Sequence, residues 1–137
     1  MSKVQLLVFS SLITACTSGD SAENHFNQGV ANYEAGNLEQ ALADYTKALE
    51  LDPDFVLAYH NRGLAYANLG DLEQAIADYT KALELDQTLV RAYINRGAAY
   101  QKSGDLEQAI RDFGRYLDLV PNASNREEVI NTIEQLK

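Results

Sequence analysis

Residues 36–52, GNLEQALADYTKALELD, return almost letter for letter at 70–86 as GDLEQAIADYTKALELD, and again, more loosely, from 104 as GDLEQAIRDFGRYLDL. A 34-residue period in so short a chain constrains the fold before any propensity is weighed, because every unit must make the same local structure and stack on its copies. The other half of the unit repeats too: Ala58-Tyr59-x-Asn61-Arg62-Gly63-x-Ala65-Tyr66 returns as Ala92-Tyr93-x-Asn95-Arg96-Gly97-x-Ala99-Tyr100. Each period holds two helix-length segments joined at Gly-Asp or Gly-Asn, which predicts a helical hairpin.

The turn chemistry agrees. Gly36, Gly70 and Gly104 can take the left-handed conformation that ends a helix, and Asn37, Asp71 and Asp105 can cap the next one. Gln40, Gln74 and Gln108 follow at the spacing that lets a side chain reach back to the cap's own N–H. Within the second helix, Leu72, Ala75, Ile76, Tyr79, Ala82, Leu83 and Leu85 recur at three- and four-residue steps, which leaves Glu73, Asp78, Lys81 and Glu84 for a solvated outer face. Small residues, Gly29, Gly63 and Gly97 in the first helix and Ala41, Ala75 and Ala109 in the second, mark where paired helices approach closely.

These positions, with Tyr59, Tyr66, Tyr79 and their counterparts, resemble the tetratricopeptide-repeat signature. The resemblance covers residues 22–55, 56–89 and 90–123; its proline position holds Pro53 and Pro121 but Gln87 in the middle repeat. It implies an all-α solenoid of three helical hairpins, close to the minimum that buries a continuous core. The first repeat carries His25 and Asn32 where the others carry tyrosines, as expected of a terminal unit with one neighbour fewer. Residues 124–137 are expected to form a capping helix opened by Ser124-x-x-Glu127, with an apolar stripe of Val129, Ile130, Ile133 and Leu136. Gly114 and Tyr116, where the third repeat departs from the pattern, are expected to adjust packing against that helix.

Residues 1–15 belong to another physical class. Lys3 gives a positive start, Leu6 to Ile13 a mostly apolar run, and Ala15 a small residue before Cys16, the organisation of a signal peptide. The run is short of the roughly 20 apolar residues that cross a bilayer as a stable helix, so cleavage is expected rather than a permanent span. Leu12-Ile13-Thr14-Ala15-Cys16 resembles the lipobox of bacterial lipoproteins, which implies acylation of Cys16 and cleavage before it. Thr17 stands where an aspartate would favour inner-membrane retention, so the resemblance implies an outer-membrane anchor facing the periplasm. Residues 16–21 would then be a polar tether reaching roughly 15–20 Å when extended. Cys16 is the only cysteine, which leaves no intramolecular disulfide. An unprocessed N-terminus would instead leave a soluble cytoplasmic adaptor.

Twenty acidic residues against eleven basic ones give a formal charge of −9, which argues against nucleic acid as a partner. No phosphate-cradling glycine loop or metal-spaced histidine pair is present; His25 and His60 fall at different positions of their first helices. Neither an enzyme nor a cofactor is expected. Asn122-Ala123-Ser124 matches a glycosylation sequon but is read as the break after the third repeat.

The resemblance implies a concave groove lined by the first helices, where such solenoids hold extended partners. Its register places Glu23, Phe26, Asn27, Val30, Tyr33 and Glu34 there from repeat one, and Leu57, His60, Asn61, Leu64 and Asn68 from repeat two. Repeat three adds Arg91, Ile94, Asn95, Ala98, Gln101 and Lys102. Acid at one end and base at the other would orient a peptide with its acidic end on repeat three. The amides of Asn61 and Asn95 offer donors and acceptors to a peptide backbone. Chaperone-adaptor members of the family clamp a terminal carboxylate; here only Asn61 and Arg91 match that set, while Phe26, Val30 and Asn95 replace the rest. Arg62 and Arg96 fall beside the paired-helix interface and receive no role. The expected function is a scaffold or adaptor for a protein or peptide partner in envelope or pilus assembly. It would be monomeric or weakly self-associating through its repeat ends.

Overall fold

Gly36, Gly70 and Gly104 hold φ angles of 82°, 84° and 88°, the left-handed region that residues with a Cβ avoid. The computed structural model describes residues 20–137, and among them these turns separate helices, with no strand. The helices are α1 (Ala22–Glu34), α2 (Leu38–Leu51), α3 (Val56–Asn68), α4 (Leu72–Leu85), α5 (Val90–Ser103), α6 (Leu106–Leu119) and α7 (Arg126–Leu136). Three hairpins, α1/α2, α3/α4 and α5/α6, stack in chain order, and α7 closes the far end on α6. The fold is an all-α solenoid, as the period implies.

Each hairpin turn satisfies the carbonyls that its first helix leaves over. Gly36 N–H donates to the Tyr33 carbonyl at 3.0 Å and Asn37 N–H to that of Asn32 at 2.8 Å, and the pattern recurs at Gly70–Asp71 and Gly104–Asp105. The cap N–H is therefore already taken by the preceding helix, which differs from the reciprocal capping expected of Gln40, Gln74 and Gln108. Only half of that motif forms: Asp71 and Asp105 accept from the backbone N–H of Gln74 and Gln108 at 3.2 and 3.3 Å. Asn37 makes no side-chain cap bond, and Gln40 donates instead to Asp44.

Close approach explains the interior glycines. A Cβ on Gly29 would lie 2.5 Å from the Tyr45 ring, on Gly63 2.8 Å from that of Tyr79, and on Gly97 2.8 Å from that of Phe113. Opposite them, Ala41, Ala75 and Ala109 are fully buried. One aromatic ring of each second helix thus lies across the bare backbone of its partner.

Asp78, expected on the wet face, is 5% exposed, and its equivalents Asp44 and Asp112 are buried with it. Arg62 Nε and Nη2 each donate to Asp78 at 2.8 Å, and Nη1 reaches Thr46 Oγ1 of the previous hairpin at 3.2 Å. Arg96 repeats the arrangement on Asp112 and Thr80. Both arginines, without a role in the sequence, pin α3 to α4 and α5 to α6 while hooking each hairpin to the one before. Repeat one carries Gln28 at the arginine position, and there Asn32 Nδ2 donates to Asp44 at 2.7 Å. The polar residue of the first repeat thus replaces a missing arginine.

At the far end α7 begins after Asn125, not Ser124, and Asn125 Oδ1 accepts from Tyr116 Oη at 2.7 Å. Tyr116 therefore adjusts the junction as expected, whereas a Cβ on Gly114 would meet nothing within 4 Å. Val129, Ile133 and Leu136 pack with Phe113, but Ile130 is 37% exposed and leaves the stripe.

Candidate functional site

The first helices lie side by side, α1 against α3 and α3 against α5, so the residues they do not turn toward the second helices form a continuous surface. Two side-chain bridges cross it. Asn68 Nδ2 donates to Tyr33 Oη, joining α3 to α1, and Asn95 Nδ2 donates to His60 Nε2 at 3.0 Å, joining α5 to α3.

His60 is the centre of the second bridge. Its ring is 4% exposed, beneath the groove surface, and lies 5.8 Å from the Tyr79 ring. Because Nε2 accepts from Asn95, the proton sits on Nδ1, which donates to Asn61 Oδ1 at 3.1 Å. Burial lowers the His60 pKa below its ordinary value, the nearby Arg91 charge adds to that, and the bond to Asn61 opposes it. The ring is neutral at neutral pH. Asn61 also hydrogen-bonds the Tyr45 phenol, whose pKa burial pushes up to about 12. Both groove asparagines therefore hold one histidine between them.

Three hollows follow the groove. Near its start, one of about 570 Å³ lies among Phe26, Asn27, Phe55 and Leu57, with Glu23 and Asp52 beside it; Phe26 and Phe55 have ring centroids 4.8 Å apart. A middle one of about 130 Å³ is lined by Leu64, Asn68, Tyr79, Asn95 and Lys102. At the far end, one of about 160 Å³ gathers Ile94 and Gln101 with Phe113, Glu128 and Val129. The structure thus brings Leu64, Asn95 and Lys102 to one hollow and Gln101 to the next, while Arg91 stays exposed beside His60. Among the described residues no group of three His, Cys, Asp or Glu side chains could hold a metal ion. Cys16 lies outside the described residues.

Sequence reasoning placed Tyr79 only in the core. Its side chain also lines the middle hollow, and the signal was the alternation Tyr45, Tyr79, Phe113 at one repeat position.

Charge runs along both rims. One rim carries Glu23, Leu57 and Arg91 at equivalent positions of successive repeats, the other Glu34, Asn68 and Lys102. Among the described residues none of the four charged members is in an ion pair.

The family profile described as tetratricopeptide repeat matches residues 56–89 and 90–123, and a second, TPR repeat, matches 29–70. The chain belongs to the tetratricopeptide-repeat family. No curated protein sequence matches it. Among solved structures, it is similar to the first TPR domain of Spaghetti (RPAP3) bound to the HSP90 peptide SRMEEVD. The two are 30% identical with a TM-score of 0.78, over 85% of this chain and 90% of that one. The second TPR domain of human RPAP3, in complex with the HSP70 peptide SGPTIEEVD, is 29% identical with a TM-score of 0.77, over 82% and 94%. The TPR2B domain of yeast Sti1, in a pHsp70 complex, is 26% identical with a TM-score of 0.77, over 84% and 94%.

Proposed function

We propose that this chain is a non-enzymatic interaction module that holds an extended segment of a partner protein in the groove of α1, α3 and α5, acidic end over repeat three. The observation that carries the reading is the pair of charge ladders, Glu23–Leu57–Arg91 and Glu34–Asn68–Lys102, which run from acid to base along both rims. A peptide lying along the stack meets complementary charge at each end in only one direction. The TPR domains of RPAP3 carry peptides ending in EEVD, which supports a peptide as the occupant. The pocket of Phe26, Phe55 and Leu57 at the opposite end suits an apolar side chain of the same segment.

The test is fluorescence anisotropy with a labelled dodecapeptide, basic in its first half and acidic in its second. Arg91→Glu with Lys102→Glu is expected to weaken binding about tenfold and to flatten its salt dependence. Unchanged affinity would contradict the reading.

The proposal extends to location. The sequence 12–16, with Lys3 and the apolar run before it, supports acylation at Cys16 and a short tether that holds the groove near a membrane. A bacterial envelope role follows, with the outer membrane favoured and assistance to envelope or pilus assembly as the setting. Among the described residues no helix is long and apolar enough to cross a membrane, so attachment would rest on that lipid. Intact mass of the chain expressed with its own N-terminus, beside Cys16→Ser, checks this. Loss of residues 1–15 with added acyl mass is expected, and an intact, unacylated chain would move the module to the cytoplasm.

A further inference from the structure

The largest of the three hollows, about 570 Å³ against about 130 and 160 Å³, stands where the chain enters the fold. Ser21, the N-cap of α1, is part of its wall, and Phe26, Phe55 and Leu57 make it apolar. Leu57 is 45% exposed, a large apolar side chain that the described residues leave half uncovered. This apolar group is confined to the first junction. One repeat later the positions of Phe26, Phe55 and Leu57 hold His60, Leu89 and Arg91, so the next rung is polar and charged. The rim of the first hollow is acidic: Glu23 and Asp52 line it, and among the described residues neither is in an ion pair. No basic side chain is part of the wall.

A segment of this same chain has the matching chemistry. Leu6-Leu7-Val8-Phe9-Ser10-Ser11-Leu12-Ile13 is a mostly apolar run with Lys3 ahead of it, and it lies before the described residues, which begin at residue 20. Apolar side chains suit the wall, and a positive charge beside them suits the Glu23 and Asp52 rim. Residues 14–20 connect the run to Ser21 and span roughly 25 Å when extended, while the hollow begins at Ser21 itself. Ser18, Gly19 and Asp20 are residue types that reverse a chain at little cost. So short a connection holds the run at an effective concentration on the order of millimolar, and weak apolar contacts then suffice to fill the hollow.

We propose that the hollow of Phe26, Phe55 and Leu57 receives the apolar run Leu6–Ile13 of the same chain for as long as residues 1–15 remain attached. The run covers the start of the groove and competes with a partner segment there, and removal of residues 1–15 opens it. The competition rests on the peptide-groove reading, whereas the docking of the run does not.

The test uses two isotopically labelled full-length chains. Both carry Cys16→Ser to keep residues 1–15 attached, which intact mass checks, and the second adds Leu6→Ser, Leu7→Ser, Phe9→Ser and Ile13→Ser. The backbone signals of Phe26, Phe55 and Leu57 are expected to differ between the two, while those of Gln101 and Val129 at the far hollow coincide. In a Leu57→Glu background the difference at Phe26 should disappear. The labelled dodecapeptide with a basic first half and an acidic second half should bind the second chain about tenfold tighter, the factor for a hollow self-occupied nine tenths of the time. Coinciding signals at Phe26, Phe55 and Leu57 would overturn the docking. A difference that survives Leu57→Glu would place the run elsewhere, and one that grows with protein concentration would give the run to a second copy; either overturns the proposal. Differing signals with equal, measurable peptide affinity would uphold the docking and overturn the competition. Differing signals with no peptide bound by either chain at millimolar concentration would uphold the docking and overturn the peptide-groove reading.

Discussion

Arg62 closes a two-bond fork on Asp78, with both nitrogens 2.8 Å from the carboxylate oxygens, and lays its guanidinium over the Tyr59 ring, 5.7 Å from the centroid. The same fork joins Arg96 to Asp112 one period later. A charged residue as buried as Asp78 persists because its partner is planar, bidentate and always ionised.

Removing one partner leaves the other charged and desolvated. Arg62→Ala is expected to cost about 3–5 kcal/mol in urea unfolding, whereas Arg62→Met with Asp78→Leu should recover most of that loss. A loss below about 1 kcal/mol for the single variant, the range of an exposed pair, would refute the buried staple.

The glycines separate into two classes by what a methyl group would meet. Gly63→Ala should destabilise by about 1–3 kcal/mol, because its Cβ would sit 2.8 Å from the Tyr79 ring and the helices must part. Gly114→Ala meets nothing within 4 Å and should stabilise by about 1 kcal/mol through helix propensity alone. Thermal unfolding of the two variants gives the signs, and a destabilised Gly114→Ala would contradict the structure.

His60 makes the fold sensitive to mild acid. Its folded pKa is lowered, chiefly by burial, so the unfolded chain takes up the proton first. The His60 contribution is then complete above the ordinary value of about 6.5 and is lost as the pH falls from there through the folded value. His60→Phe, which copies Phe26 of repeat one, should flatten the dependence of stability on pH between about 5 and 7. A slope in that window unchanged by the substitution would assign it to other groups.

The hairpins, their turns and the glycine contacts were legible because each leaves a local mark: a positive φ at Gly36, Gly70 and Gly104, and a missing side chain at Gly29, Gly63 and Gly97. Asp78 was misplaced because a helical wheel classes a carboxylate as solvated, and its partner Arg62 lies on another helix. The remaining signal was joint recurrence, Thr46, Arg62 and Asp78 returning together as Thr80, Arg96 and Asp112. Ser124 lost the cap to Asn125 because Tyr116 holds that side chain from α6, a bond no local pattern encodes. The repeat register was enough to set Tyr33 on α1, His60, Asn61 and Leu64 on α3, and Arg91, Asn95, Gln101 and Lys102 on α5. That His60 links both asparagines was not legible, because it depends on contacts between successive repeats.

The most direct measurement of the central claim is the direction in which a peptide lies in the groove. A dodecapeptide with a basic first half and an acidic second half, carrying a nitroxide at its acidic end, would be added to the isotopically labelled chain. Broadening of the backbone signals of Arg91 and Lys102, with those of Glu23 and Glu34 spared, is the predicted result. Broadening at Glu23 and Glu34, or equally at both ends, would contradict the account.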